Sequence, residues 1–305
     1  MTWQDLPIGL KGGSKKKGQK KMGSRNKEGL KVELKSSVYY TCLTELSGDN
    51  DSRQVKIFKG MTRDLIKIVC HISLLKAGKI PHLPHSHSEE EILILLSGSI
   101  NIILPAIDAK QKDKIITVKK GEMAYYPSYL LHTLKATGNK PAKYIVFKWR
   151  SIRKMNNKAN TFEKLDLFSN SKKINGTKGS KRLDLFNIVT GYLRKLHCHI
   201  SALLPGEGYD PHSDHYNVAA IVLDGELETL GQKIRQYDIA FYLSEDSHGM
   251  RNTGRHTAKY IIFEFHSYNK AHKRLFIAMA DFFSKITDPV RWKRKLKAIF
   301  KFLEL

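Results

Sequence analysis

Two imidazoles and a carboxylate stand at even spacing in the segment His85-Ser-His87-Ser-Glu-Glu-Glu91. Side chains two residues apart on a strand share a face, so one extended strand would present His85, His87 and Glu91 together. The three cysteines, Cys42, Cys70 and Cys198, are too scattered for a disulfide framework or a cysteine zinc site. Nitrogen and oxygen donors on one face instead suit Fe, Mn, Ni, Cu or Zn. A fourth ligand is expected from another segment, and Gly121-Glu-Met-Ala-Tyr-Tyr-Pro127-Ser-Tyr-Leu-Leu-His132 offers His132. Such a centre keeps coordination positions open for water, O2 or substrate. It acts as a Lewis acid or, with a redox-active ion, activates O2.

The elements that must position these groups are arranged as an internal repeat. Cys70-His71-Ile72-Ser73 returns as Cys198-His199-Ile200-Ser201 at an offset of 128, which Gly78 and Gly206 keep. Gly98 and Gly225 are related by 127, and Lys143-Tyr144-Ile145 with Phe147 returns as Lys259-Tyr260-Ile261 with Phe263 at 116. The unit is domain-sized, well beyond solenoid periods. Each copy reads as β: Glu-Ile-Leu-Ile-Leu-Leu-Ser97-Gly98-Ser-Ile-Asn-Ile-Ile-Leu-Pro105 is a branched apolar run broken by a turn, the pattern of a hairpin between buried strands. Many short strands with turn signals predict a sandwich or barrel. Residues 151–180, rich in Asn, Ser, Lys and Gly, read as a linker, with Phe162 to Phe168 a docked strand or helix.

Gly78, His85, His87, Glu91 and Gly98 resemble the first motif of the cupins, and Gly121, Pro127 and His132 resemble the second. The spacing before His85 is one residue longer than usual, Tyr129 stands for a usual glycine, and Ala136 stands where Asn is common; none of these removes a ligand. The resemblance implies an all-β chain of two tandem double-stranded β-helix barrels over roughly residues 50–268, similar to bicupins. It implies one divalent transition metal held by His85, His87, Glu91 and His132 in the first barrel. The second copy is degenerate: His212 aligns with His85, Asp214 with His87, Val218 with Glu91 and His248 with His132. Valine cannot ligate. What remains is either a 2-His-1-carboxylate triad or a barrel kept for structure. By the same resemblance the expected activity is a metal-dependent oxygenation, decarboxylation or isomerisation of an organic acid or sugar, and no residue stands out as a general acid or base. The other reading is a non-catalytic binding protein, and a third is a scaffold. His71 and His199 read as packed strand residues, His82 as a loop residue, Glu90 as facing away from Glu91, and Tyr125, Tyr126 and Tyr129 as barrel filling. Cys70 and Cys198 read as small core residues.

Charge organises the ends. The chain of 305 residues carries a net charge of +24. Residues 1–35 and residues 270–305 each hold ten Lys and Arg against three acids. The first stretch is Gly, Ser and Lys with little to bury and reads as a disordered basic arm. In the last, Trp292, Leu296, Ile299, Phe300 and Leu303 fall at helical spacing with lysines on other faces, and Leu275, Met279, Phe282 and Ile286 suggest a helix before it. An amphipathic helical extension over 269–305 follows, to dock on the protein or on an anionic surface. An anionic partner such as lipid or polysaccharide fits both tails; no DNA- or RNA-binding motif accompanies them. No run approaches about 18 apolar residues, and the start lacks a signal-peptide core, so a cytoplasmic protein is expected. The boundaries read are an arm at 1–35, barrels at 36–150 and 181–268 around the linker, and the extension. Homo-oligomerisation is expected.

Overall fold

A computed structural model describes residues 33–41, 46, 50–106, 110–151, 163–166 and 181–268. The expected basic arm up to residue 32, Cys42 and the helical extension from 269 lie outside the described residues. Among the described residues no α-helix occurs.

The first repeat contributes β1 (Ser37–Tyr39), β2 (Ser52–Gly60), β3 (Lys67–Leu75), β4 (Glu90–Ser97), β5 (Ser99–Leu104), β6 (Lys114–Lys119), β7 (Glu122–Tyr126), β8 (Thr133–Thr137) and β9 (Ala142–Arg150). A short β10 (Glu163–Asp166), inside the segment read as a linker, is a strand rather than a helix and opens the second repeat. The second repeat follows with β11 (Lys181–Ile188), β12 (Leu193–Leu203), β13 (Gly208–Ser213), β14 (Asn217–Asp224) and β15 (Glu226–Thr229). It ends with β16 (Gln232–Arg235), β17 (Ile239–Tyr242), β18 (Ser247–Asn252) and β19 (Ala258–Ser267). Barrel 1 pairs a six-stranded sheet, β10-β7-β4-β9-β3-β2, with a three-stranded one, β6-β5-β8. Barrel 2 pairs β1-β17-β14-β19-β12-β11 with the four strands β13-β18-β15-β16. The strand that opens each repeat therefore joins the other barrel: β1 pairs with β17, and β10 with β7. This reciprocal exchange ties the barrels together through main-chain hydrogen bonds.

The continuous apolar run of β4 follows from burial on both faces. Leu93 and Leu95 fill barrel 1, while Ile92, Ile94 and Leu96 join a core shared with barrel 2. In β19 the same alternation sends Tyr260 and Ile262 into barrel 2 and Phe263 and Phe265 into the shared core. There Phe147 meets Phe263 at 5.9 Å between centroids, and Trp149 meets Phe265 at 5.5 Å. Cys70 and Cys198 are free thiols buried in this layer, as expected of small core residues. Two repeat-related turns interlock at its edge. Asn217, next to Val218, donates to Thr62 at 3.1 Å, while Glu90, next to Glu91, accepts from Thr190 at 2.6 Å.

Gly98 takes the turn between β4 and β5 at φ +77°, and a Cβ there would lie 2.5 Å from the Pro141 carbonyl oxygen and 2.8 Å from Ala142 Cα. Its counterpart Gly225, at φ +83°, faces Ala258 Cα at 2.7 Å. Both the left-handed conformation and the close backbone exclude other residues. Gly98→Ala is expected to cost about 1–3 kcal/mol in urea unfolding; an unchanged midpoint would mean that the β4–β5 turn is placed differently.

Candidate functional site

In barrel 1 the site is built by an isolated antiparallel bridge. His85 and His132 exchange both main-chain hydrogen bonds at 3.0 Å. The single strand expected to carry His85, His87 and Glu91 is not continuous: β4 begins at Glu90, and the two histidines precede it in a bent segment. They meet nonetheless. Donor atoms of His85, His87 and His132 all lie within 4.8 Å of one another. His132 Nδ1 faces the Leu130 carbonyl at 2.9 Å and His87 Nδ1 faces that of Glu89 at 3.0 Å. A carbonyl can only accept, so both Nδ1 atoms carry the proton and both Nε2 atoms are the ones turned to the site; that of His87 also faces Lys148 and Glu91. His85 Nδ1 is buried without a hydrogen bond. The ring of Tyr126, 4.6 Å from that of His132, lines the site, whereas Tyr129 is exposed. Three imidazoles with donor atoms this close together fit a divalent metal.

Glu91 is placed differently from the three imidazoles. Its Oε2 lies 2.8 Å from Lys148 Nζ and 3.0 Å from His87 Nε2, and the same ammonium sits 3.1 Å from His87 Nε2. Glu91 and Lys148 are register partners across β4 and β9. Burial alone would raise the Glu91 carboxyl, but the ammonium and the imidazoles hold it far below the usual value. Burial holds the His85 imidazole down at about 4, with further lowering from His82, His132 and Lys148. His71, also buried and facing the same interior, is likewise held at about 4, burial being the largest cause. Both rings are thus neutral at physiological pH, the form a metal requires.

Barrel 2 assembles its own group. Donor atoms of His212, Asp214 and His248 lie within 4.8 Å of one another. His248 Nδ1 faces the Asp246 carbonyl at 3.0 Å, leaving Nε2 at 3.4 Å from Asp214 Oδ2. Val218 offers nothing at the Glu91 position, yet its cross-strand partner is Glu264. The repeat-equivalent pairs are thus Glu91 with Lys148 in one barrel and Val218 with Glu264 in the other. A cavity of about 290 Å³ opens here, lined by His212, Asp214, His248, Glu264, Arg182 and others. Burial would raise Glu264, but hydrogen bonds from His266 and His197 hold it at about 2.

Sequence reasoning passed over Lys148, Glu264 and His197. The last had a signal: His197-x-His199 repeats the even spacing of His85-x-His87. The other two become visible only through strand register. Of the remaining residues singled out, Glu90 does face away from Glu91, into the shared core, where it is fully buried. His82 is an exposed loop residue whose ring lies 4.1 Å from that of His85.

A cupin domain family model matches residues 71–148. No curated protein matches the sequence significantly. Among solved structures, an oxalate decarboxylase of Lactobacillus farciminis in complex with formate aligns at TM-score 0.52 and 10% identity, over 78% of this chain and 88% of that one. The oxalate decarboxylase of Bacillus subtilis aligns at 0.50 and 13%, over 79% of each chain. AerE from Microcystis aeruginosa aligns at 0.50 and 14%, over 65% of this chain and 87% of that one. At such identities the likeness is one of fold. The cupin match thus falls on the first barrel alone, and across both barrels the chain shares its fold with these solved structures.

Proposed function

We propose that barrel 1 is a metal-dependent centre acting on a small polar molecule, with His85, His87, His132 and Glu91 as ligands of one divalent transition ion, Fe, Mn, Ni, Cu or Zn. The observation that carries this reading is the convergence of three imidazoles whose donor atoms lie within 4.8 Å of one another. A metal there supplies a Lewis acid with open positions. Lys148 places a fixed positive charge beside that point and favours an anionic substrate, an organic acid over a neutral sugar, by charge complementarity. His82, on the exposed side of His85, is placed to touch what enters. The reaction class is oxygenation, decarboxylation or isomerisation. Homo-oligomerisation, cytoplasmic residence and an anionic partner for the basic ends belong to the same reading. Among the described residues no helix is long and apolar enough to cross a membrane.

Lys148 also favours a second reading, a binding protein without metal, because its ammonium already neutralises Glu91. Elemental analysis of protein purified without a metal-binding tag separates the two. The enzyme reading expects about one ion per chain in this barrel, lost in His85→Ala/His132→Ala. Full metal content in that double variant would sink the ligand assignment, and ligand affinity untouched by chelation would favour the binding protein.

A further inference from the structure

A second pair of strand histidines carries its own donors. His197 and His199 on β12 are 5% and 6% exposed and point into barrel 2, since their alternates Leu196, Cys198 and Ile200 belong to the shared core. Carboxylates flank them from both neighbouring strands. Asp184 of β11 is the register partner of His199, and Glu264 of β19 is that of His197. Donor atoms of Asp184, His197 and His199 lie within 4.8 Å of one another. Asp184 Oδ1 is 3.1 Å from His197 Nε2, and Glu264 Oε2 is 3.0 Å from His197 Nδ1. His199 Nδ1 is buried without a hydrogen bond, 3.7 Å from Glu264 Oε1.

The repeat supplies an internal control. At the equivalent places in barrel 1 stand Lys56, Val69, His71 and Lys148. One donor there answers four here, so the barrel does not need this cluster in order to fold. Cations already crowd it. Arg182 Nε lies 2.9 Å from Asp184 Oδ1, and Arg182 Nη2 lies 3.4 Å and 3.5 Å from the His197 ring nitrogens and 3.7 Å from Glu264 Oε1. Lys195 Nζ is 3.6 Å and His266 Nε2 is 2.8 Å from Glu264 Oε2. Asp184 is exposed, but the buried Glu264 carboxylate demands a compensating charge, and the half-exposed guanidinium supplies it from a position free to turn outward.

We propose that this sheet face is a binding site for a divalent transition ion of the zinc class, held by Asp184, His197 Nε2 and His199, with Glu264 orienting His197 through its Nδ1 and Arg182 as the resident charge the ion displaces. Two imidazoles and one carboxylate, with a fourth position open to water, form a donor set suited to zinc. The cavity wall that includes His199, Glu264 and Arg182 provides the entrance. The site shares its cavity with His212, Asp214 and His248 but uses other donors, and it stands whether or not barrel 1 holds a metal.

Full-length protein is dialysed against Zn²⁺ and the bound ion counted per chain, then against Co²⁺, whose visible absorption reports nitrogen and oxygen coordination. His197→Ala is expected to lose one equivalent. Arg182→Ala is expected to keep that equivalent and bind it about tenfold more tightly, the resident competitor being gone. His85→Ala/His132→Ala loses a different equivalent, so failure of the barrel 1 centre is read separately. Unchanged stoichiometry in folded His197→Ala overturns the proposal. Should His197→Ala not fold, Arg182→Ala decides: tighter binding supports the site, and unchanged or weaker binding overturns it.

Discussion

Lys148→Met is expected to lower the stability of the metal-free protein by about 3–5 kcal/mol. Methionine keeps the length and apolar stem of lysine but removes the ammonium 2.8 Å from Glu91 Oε2. Glu91 is 4% exposed, and no other Lys or Arg is paired with it among the described residues. An uncompensated carboxylate in such a place takes up a proton instead. Its pKa in the folded variant then rises above that of the unfolded chain, so stability is retained at low pH and lost as pH rises through the raised value. The deficit should therefore be larger at pH 8 than at pH 5. Divalent metal should restore part of it, because an ion on the imidazoles replaces the missing charge and stabilises the folded state by mass action. Urea unfolding of both proteins, with and without Mn²⁺ or Zn²⁺ at the two pH values, measures this. A variant as stable as the parent at pH 8 would show that Lys148 and Glu91 are not partners.

What could be read in the sequence follows from the range of the interactions involved. His85, His87 and His132 were legible because glycine and proline positions around them fix a local turn pattern, and the structure gathers their rings despite the break before β4. The hairpin at Gly98 was legible for the same reason. Lys148 was not, because it reaches Glu91 only through the β4–β9 register, a pairing between distant segments that no local pattern encodes. The exchange of β1 and β10 was hidden too: both strands are three or four residues long, too short for a periodic signal. Residues 37–39, read as the start of barrel 1, pair into the sheet of barrel 2. His197 and His199 show the opposite failure. The even spacing was present, but one strand histidine among core residues reads as packing until Asp184 and Glu264 are seen on either side.

Glu90→Gln tests the junction between the barrels, with an expected loss of about 3–5 kcal/mol. The Glu90 carboxylate is fully buried and accepts five hydrogen bonds. On Oε1 these come from Tyr125 OH at 3.0 Å and the Gly191 main-chain N–H at 2.5 Å. On Oε2 they come from Thr190 Oγ1 at 2.6 Å, Trp149 Nε1 at 2.8 Å and the Tyr192 N–H at 3.4 Å. Glutamine has nearly the same shape, so the substitution leaves no cavity. It replaces one acceptor with an NH2 that can only donate. The hydroxyls of Tyr125 and Thr190 can rotate to accept from it, but the N–H groups of Gly191, Trp149 and Tyr192 cannot. Either orientation of the amide therefore sets donor against donor and leaves a buried N–H unsatisfied. Thr190, Gly191 and Tyr192 belong to barrel 2 while Glu90, Tyr125 and Trp149 belong to barrel 1, so the cost falls on the association of the two. Asn217→Ala, at the repeat-related position, removes three longer hydrogen bonds, to Thr62 and Asp64 and from the Ser244 N–H, and no charge, so it should cost less, about 1–2 kcal/mol. If Glu90→Gln unfolds at the parent's urea midpoint, or costs less than Asn217→Ala, then the shared aromatic layer holds the barrels together without this carboxylate.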